Sequence, residues 1–130
     1  MPSESVAQLN KLLAEYKTRV AFFPGAVKDY KSFTKGSKQI ILGMIVKQAQ
    51  KGPQLKPKGN GIRLQSPLHE FGKIKRKAVN LCIIYRPKLL EDGICQMEII
   101  AIGPRDNSEI YKAAQKRLPR FLEEFGHTIK

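Results

Sequence analysis

Lys73 and Lys75 sit one residue apart in the stretch GKIKRK, with Lys77 next in the same alternation. On an extended strand these three ammonium groups would share one face at steps of about 7 Å, from a rise of ~3.3 Å per residue. Phosphates repeat at a comparable distance along an extended nucleic acid. Further on, the apolar run IIAI crosses Gly103 and Pro104 and delivers Arg105, then a helical pattern begins that carries Tyr111. A guanidinium at the lip of a strand can grip a phosphate with two parallel bonds. A tyrosine nearby offers a ring for stacking and a phenol for hydrogen bonding.

The charge balance points the same way. Lys and Arg number 24 against 11 Asp and Glu, a formal charge of +13. That excess suits a polyanionic partner better than a neutral metabolite. Between Lys51 and Lys88 there are ten basic residues and a single acid, Glu70. Lys58, Arg63, Arg76, Lys77 and Arg86 in this stretch are the expected further contacts to a nucleic acid. The blander account is that they form a solvated basic loop and a strand edge guarded by lysines.

Other classes are disfavoured. The start, MPSESVAQLNKLLAEYK, is polar and of mixed charge, unlike a signal peptide. The apolar stretch IILGMIV is far shorter than the roughly 20 residues of a membrane helix. A soluble, cytoplasmic protein with no membrane partner is expected. Cys82 and Cys95, even with His69 and His127, show no zinc-ligand spacing. Neither a metal nor a small-molecule cofactor is expected, and both cysteines should be reduced, partly buried thiols.

The elements that must position the candidates can be read from periodicity. Residues 5–16 space Val6, Leu9, Leu12, Leu13 and Tyr16 as an amphipathic helix, with Ser3 or Ser5 as its cap. TRVAFF predicts a strand ending at Pro24, where PGAVKDYKSF starts a helix. KGSKQIILGMIVKQAQK predicts a second helix paired with it as a hairpin, and GPQLKPKGNG a mobile loop. From Gly72 the period becomes two: GKIKRK, VNLCIIYR and, after an Asp92-Gly93 turn, CQMEIIAIG read as antiparallel strands. A last helix begins near Asn107 or Ser108 and is expected to be interrupted at Pro119, with PRFLEEFG making a further helical turn before Gly126. The expected fold is α+β, a small antiparallel sheet with helices packed on one face. Residues 1–17 form an N-terminal helical extension and 18–130 the domain proper.

The ordered combination of FGKIKRKAVNLCIIYRP, a strand, and IAIGPRDNSEIYKAAQKRL resembles the C-terminal half of the RelE toxins of bacterial toxin–antitoxin modules, within the RelE/ParE superfamily. The resemblance covers about residues 64–118, and RVAFFPGAVKDYKSF fits the family's first strand and helix. It implies a fold similar to small microbial ribonucleases and cleavage of messenger RNA in the ribosomal A site. It also implies a cognate antitoxin, the ribosome and mRNA as partners. Carried over by position, it gives Lys73, Lys75, Arg105 and Tyr111 as catalytic residues. With no histidine or carboxylate among them, a lysine amid cationic neighbours is the expected base or acid. One position departs from the pattern: Cys82 stands where the family places a further arginine, which puts activity in question. Two other readings follow from the same sequence, a topoisomerase poison of the ParE branch and a silent basic module that binds RNA or protein.

Overall fold

A computed structural model describes residues 3–106 and 108–126. The α+β class holds. Helix α1 (Ser3–Leu13) and a tight turn lead into β1 (Thr18–Phe22), α2 (Pro24–Lys31) and α3 (Lys35–Lys51). Then come β2 (Ile62–Arg63), β3 (Gly72–Arg76), β4 (Leu81–Leu89), β5 (Cys95–Gly103) and α4 (Glu109–Phe125). The sheet has the order β1-β5-β4-β3-β2.

Two expectations about the sheet need correction. It is antiparallel from β2 to β5, but β1 adds to β5 in parallel, Thr18 opposite Cys95 and Phe22 opposite Ile99. Alternation within hairpins says nothing about a pairing between segments so distant in sequence. The helices also cover both faces rather than one. Leu81, Ile83, Tyr85, Met97 and Ile99 join a core with Leu13 of α1, Ala26 of α2 and Ile41 of α3. Cys82, Ile84, Ile100 and Ala101 join a second core with Ile110, Ala114 and Phe121 of α4. Strands buried on both sides are continuously apolar, and LCIIY and IIAI are such runs.

Helix α1 packs into the first core through the buried Leu9 and Leu13. Its Asn10 side chain accepts from the N–H of Val20 at 2.8 Å and donates to the Val20 carbonyl at 3.4 Å, as a neighbouring strand would. Helix α3 begins at Thr34, whose hydroxyl accepts from the N–H of Ser37. It packs against α1 and β3 rather than in a hairpin with α2. The stretch 52–61, expected to be mobile, is closed by Asn60 N to Gly52 O at 2.8 Å and Gly61 N to Gln54 O at 3.0 Å. The Tyr85 hydroxyl reaches up from the core and donates to the Pro53 carbonyl at 2.7 Å.

Helix α4 does not stop at Pro119 but continues to Phe125. Pro119 and Gln115 are both exposed, so the carbonyl deprived of its N–H partner lies on the solvent side, where water can serve. The expected cap at Asn107 lies outside the described residues, and Ser108 makes no side-chain cap bond. What fixes α4 is Arg117, which holds the Asp29 carboxylate with Nη1 at 2.7 Å and Nη2 at 3.1 Å and donates to the Ile100 carbonyl at 2.9 Å. Asp29 in turn accepts from the N–H of Ile102 at 3.0 Å. This network ties α2, α4 and β5 together where β1 has ended. No helix among the described residues is long and apolar enough to cross a membrane.

The buried acids of the core give the fold a pH signature. Burial and the neighbouring Glu98 push the Cys95 thiol up to about 11, and burial also raises the Tyr85 phenol. Both groups favour the folded state while neutral, so their stabilisation is complete below the unfolded thiol value and is lost as pH rises through the folded one. Stability is expected to fall by on the order of 2 kcal/mol from Cys95 alone between about pH 8.5 and 11. Urea midpoints across this range would show it, and Cys95→Ala should flatten the decline. An unchanged midpoint would refute the linkage.

Candidate nucleic-acid interface

The cross-strand register decides where each candidate points. Lys73 lies opposite Ile84 and Lys75 opposite Cys82, both partners belonging to the core beneath α4. Between them Ile74 lies opposite Ile83 and packs against the other core. Lys73 and Lys75 therefore stand on the α4 face of β3, the first half-buried and the second exposed.

Arg105 reaches the same face from β5. Gly103 ends that strand opposite Cys82, so Lys75, Cys82 and Gly103 form one row across three strands. The chain then turns at the exposed Pro104, and the N–H of Arg105 is held by Asn80, at 3.2 Å from its Oδ1 and 3.4 Å from its carbonyl. Asn80 itself adopts a left-handed conformation, φ 54°, which asparagine tolerates better than most residues. The Arg105 side chain is half-buried, and its buried Nε has no hydrogen-bond partner among the described residues. Three residues into the next element, α4 brings Tyr111 beside the strand, with Lys73 Nζ 5.9 Å from the ring centroid.

Cys82 lies at the centre of this group and is 1% exposed. Burial pushes its thiol upward, against the opposing pull of Lys73, Lys75 and Arg105 and of a hydrogen bond with Tyr111. All four expected catalytic residues thus act on one buried sulfur. A neutral thiol contributes no positive charge, so the cationic character of the site rests on the two lysines and the arginine. An open cleft of about 390 Å³ runs alongside, lined by Lys73 and Tyr111 with Arg63, Gln65, Ser66 and Gln115. Arg63 is steadied there by donating to the His69 carbonyl at 2.6 Å. Amide and hydroxyl groups beside an aromatic ring are suited to reading the edge of an unstacked base.

The remaining expected contacts to RNA are placed elsewhere. Arg86, expected at the surface, is a correction: it is 0% exposed, paired with Glu98 at 2.7 Å and stacked 4.7 Å from the Phe121 centroid. Its alternation puts it under the far end of α4, whose aromatic side chains close over it. Arg76 points to the opposite face of β3 from Lys73 and Lys75, and Lys77 leaves the alternation because Lys77–Val79 is a tight helical turn. Lys58 lines another cleft with Lys56 and Glu70, which Arg63 also borders. No cluster of metal-ligating side chains occurs among the described residues, and His127 lies outside them. Asn80, Gln65, Ser66 and Gln115 are additions that sequence reading missed, since polar residues in loops and on exposed helix faces carry no distinguishing pattern.

No family model and no curated protein matches this sequence. Its fold does match solved structures. A double arginine-to-alanine variant of Escherichia coli RelE in the free state superposes with a TM-score of 0.56 at 19% identity, over 76% of this chain and 95% of that one. Isolated E. coli RelE gives 0.50 at 18% identity, over 76% and 96%. The same variant in complex with a peptide of the antitoxin RelB gives 0.52 at 17%, over 73% and 90%. With Lys73, Lys75, Arg105 and Tyr111 drawn together on one face of the sheet, the chain has the fold of the RelE toxins.

Proposed function

We propose that this protein is the toxin of a type II toxin–antitoxin pair and cleaves messenger RNA in the ribosomal A site. The observation that carries the reading is the gathering of Lys73, Lys75, Arg105 and Tyr111 around Cys82 within a RelE fold. The reaction is attack by the 2′-hydroxyl of one nucleotide on the adjacent phosphorus. The bond to the 5′-oxygen breaks, a 2′,3′-cyclic phosphate forms, and the departing oxygen takes up a proton. Lys73 and Lys75 supply base, acid and counter-charge, Arg105 holds the phosphoryl oxygens as charge builds, and Tyr111 stacks against or orients the base. Groups of this kind are weak acids and bases at neutral pH, so alignment of the RNA by the ribosome supplies much of the acceleration.

The basic surface also suits an acidic antitoxin segment that orders on binding, and the RelE variant solved with a RelB peptide supports that partner. The test is a reconstituted translation reaction in which breaks in the message are mapped by primer extension, with ribosome-free message as the control. Breaks at A-site codons that require the ribosome are expected. Intact message in the presence of bound protein would overturn the nuclease reading in favour of a silent basic module. Intact message with no ribosome binding but inhibited topoisomerase would favour the ParE branch.

A further inference from the structure

On the opposite side of β3 from Tyr111, a second cleft of about 370 Å³ lies between α3 and the edge of the sheet. Its walls carry Lys47 and Lys51 from α3 and Lys73, Lys75 and Arg76 from β3. Lys73 and Lys75 line it while their side chains are directed to the α4 face, so the cations it presents are Lys47, Lys51 and Arg76, with no carboxylate to offset them and no aromatic ring among the described lining residues. Lys47 and Lys51 are exposed and one helical turn apart, about 6 Å along the axis.

The two clefts are joined. Lys73 lines both of them. Strand β2 pairs only with Gly72 and Lys73, so from Ile74 to Arg76 no strand lies outside β3 among the described residues. Nothing of the sheet separates its two faces there. We infer that a single-stranded RNA backbone crosses this open edge, and that the α3/β3 cleft is a second, sequence-neutral subsite in which Lys47, Lys51 and Arg76 bind phosphates flanking the one at Arg105. The inference rests on the RNA-cleaving reading and assigns the RNA its path. The chemistry of the two clefts divides the work. The one beside Tyr111 has a ring on which a base can stack, whereas the one beside α3 has no ring and, besides the amides of Asn60 and of Gln48, the latter donating to the Gly52 carbonyl at 3.2 Å, presents ammonium groups and a guanidinium, which hold phosphates. It also explains why Arg76 alternates away from Lys73 and Lys75 without leaving the RNA surface.

The test uses the full-length protein and an uncleavable 2′-O-methyl RNA oligonucleotide, with affinity measured by anisotropy over a series of salt concentrations. Lys47→Ala/Lys51→Ala should weaken binding on the order of tenfold at about 0.1 M salt and lower the slope of log K against log salt by about 1.4, two phosphate contacts on single-stranded RNA. Lys31→Ala/Lys35→Ala, which removes equal charge from exposed positions outside the cleft, should leave the slope unchanged. A parallel sedimentation arm with message-free ribosomes separates the sources of the phosphate. Weakening toward the oligonucleotide assigns the subsite to the message, and weakening toward ribosomes alone assigns it to ribosomal RNA. An unchanged slope and affinity in both arms would overturn the subsite even if the wild-type protein cleaves message. A lowered slope in a protein that cleaves nothing would keep the subsite and sink the nuclease.

Discussion

Glu98→Ala is expected to destabilise the protein by about 3–5 kcal/mol, the cost of leaving a buried charge without its partner. Arg86 and Glu98 are both 0% exposed and 2.7 Å apart. Glu98 also accepts from Gln96 Nε2 at 2.8 Å, and Arg86 donates to the Phe125 carbonyl at 3.3 Å while lying over the Phe121 ring. Removing the carboxylate strands a guanidinium whose Nη1 already lacks a hydrogen-bond partner among the described residues. Against a typical total stability of about 5–15 kcal/mol, such a loss brings the fold close to unfolding. The pair itself is a different matter. Arg86→Met with Glu98→Leu removes both desolvation costs, and the double variant should lie within about 1 kcal/mol of the parent or be more stable. Urea denaturation of Arg86→Met, Glu98→Leu and the double closes the cycle. A loss below about 1 kcal/mol in Glu98→Ala would show that the pair does not anchor the fold. The anchor matters for the site because Arg86 and Lys88, at 2.8 Å, both donate to the Phe125 carbonyl at the negative end of α4, the helix that carries Tyr111.

Arg86 also marks the limit of what the sequence reveals. Its place in a run of cations reads as surface, and no local pattern announces that Glu98 waits opposite it on the next strand. The same blindness to distant partners hid the parallel docking of β1 on β5 and the Asp29–Arg117 network. Where physics is local, the reading holds well. The apolar spacing of α3, the alternation of β3 and the Asp92-Gly93 turn each gave the element found at that position. Lys73 and Lys75 share a face because a strand has a period of two, and Arg105 follows the strand that ends beside Cys82. The approach of Tyr111 to Lys73 depended on the docking angle of α4, which tertiary contacts set.

On the proposed ribonuclease reading, Arg105→Ala is expected to lower A-site cleavage by about 10²–10³-fold, the usual cost of removing a donor aimed at charge that develops in the transition state. The case for so large an effect comes from Cys82. Its thiol is buried and kept protonated, so it cannot share in neutralising the phosphoryl oxygens. Two lysines and one guanidinium are then the cations of the site, and only the guanidinium can hold two oxygens at once. Its Nε has no hydrogen-bond partner among the described residues, so turning the side chain toward a phosphate breaks no protein hydrogen bond at that atom. The fold should tolerate the change, because Asn80 holds the Arg105 backbone, not its side chain, and unfolding midpoints should match those of the parent. Arg105→Lys preserves the charge without the fork and should recover only part of the rate. Single-turnover cleavage on programmed ribosomes, with ribosome affinity measured beside it, separates the roles. A normal rate in Arg105→Ala would remove this residue from the chemistry, and full recovery by lysine would show that charge alone is required.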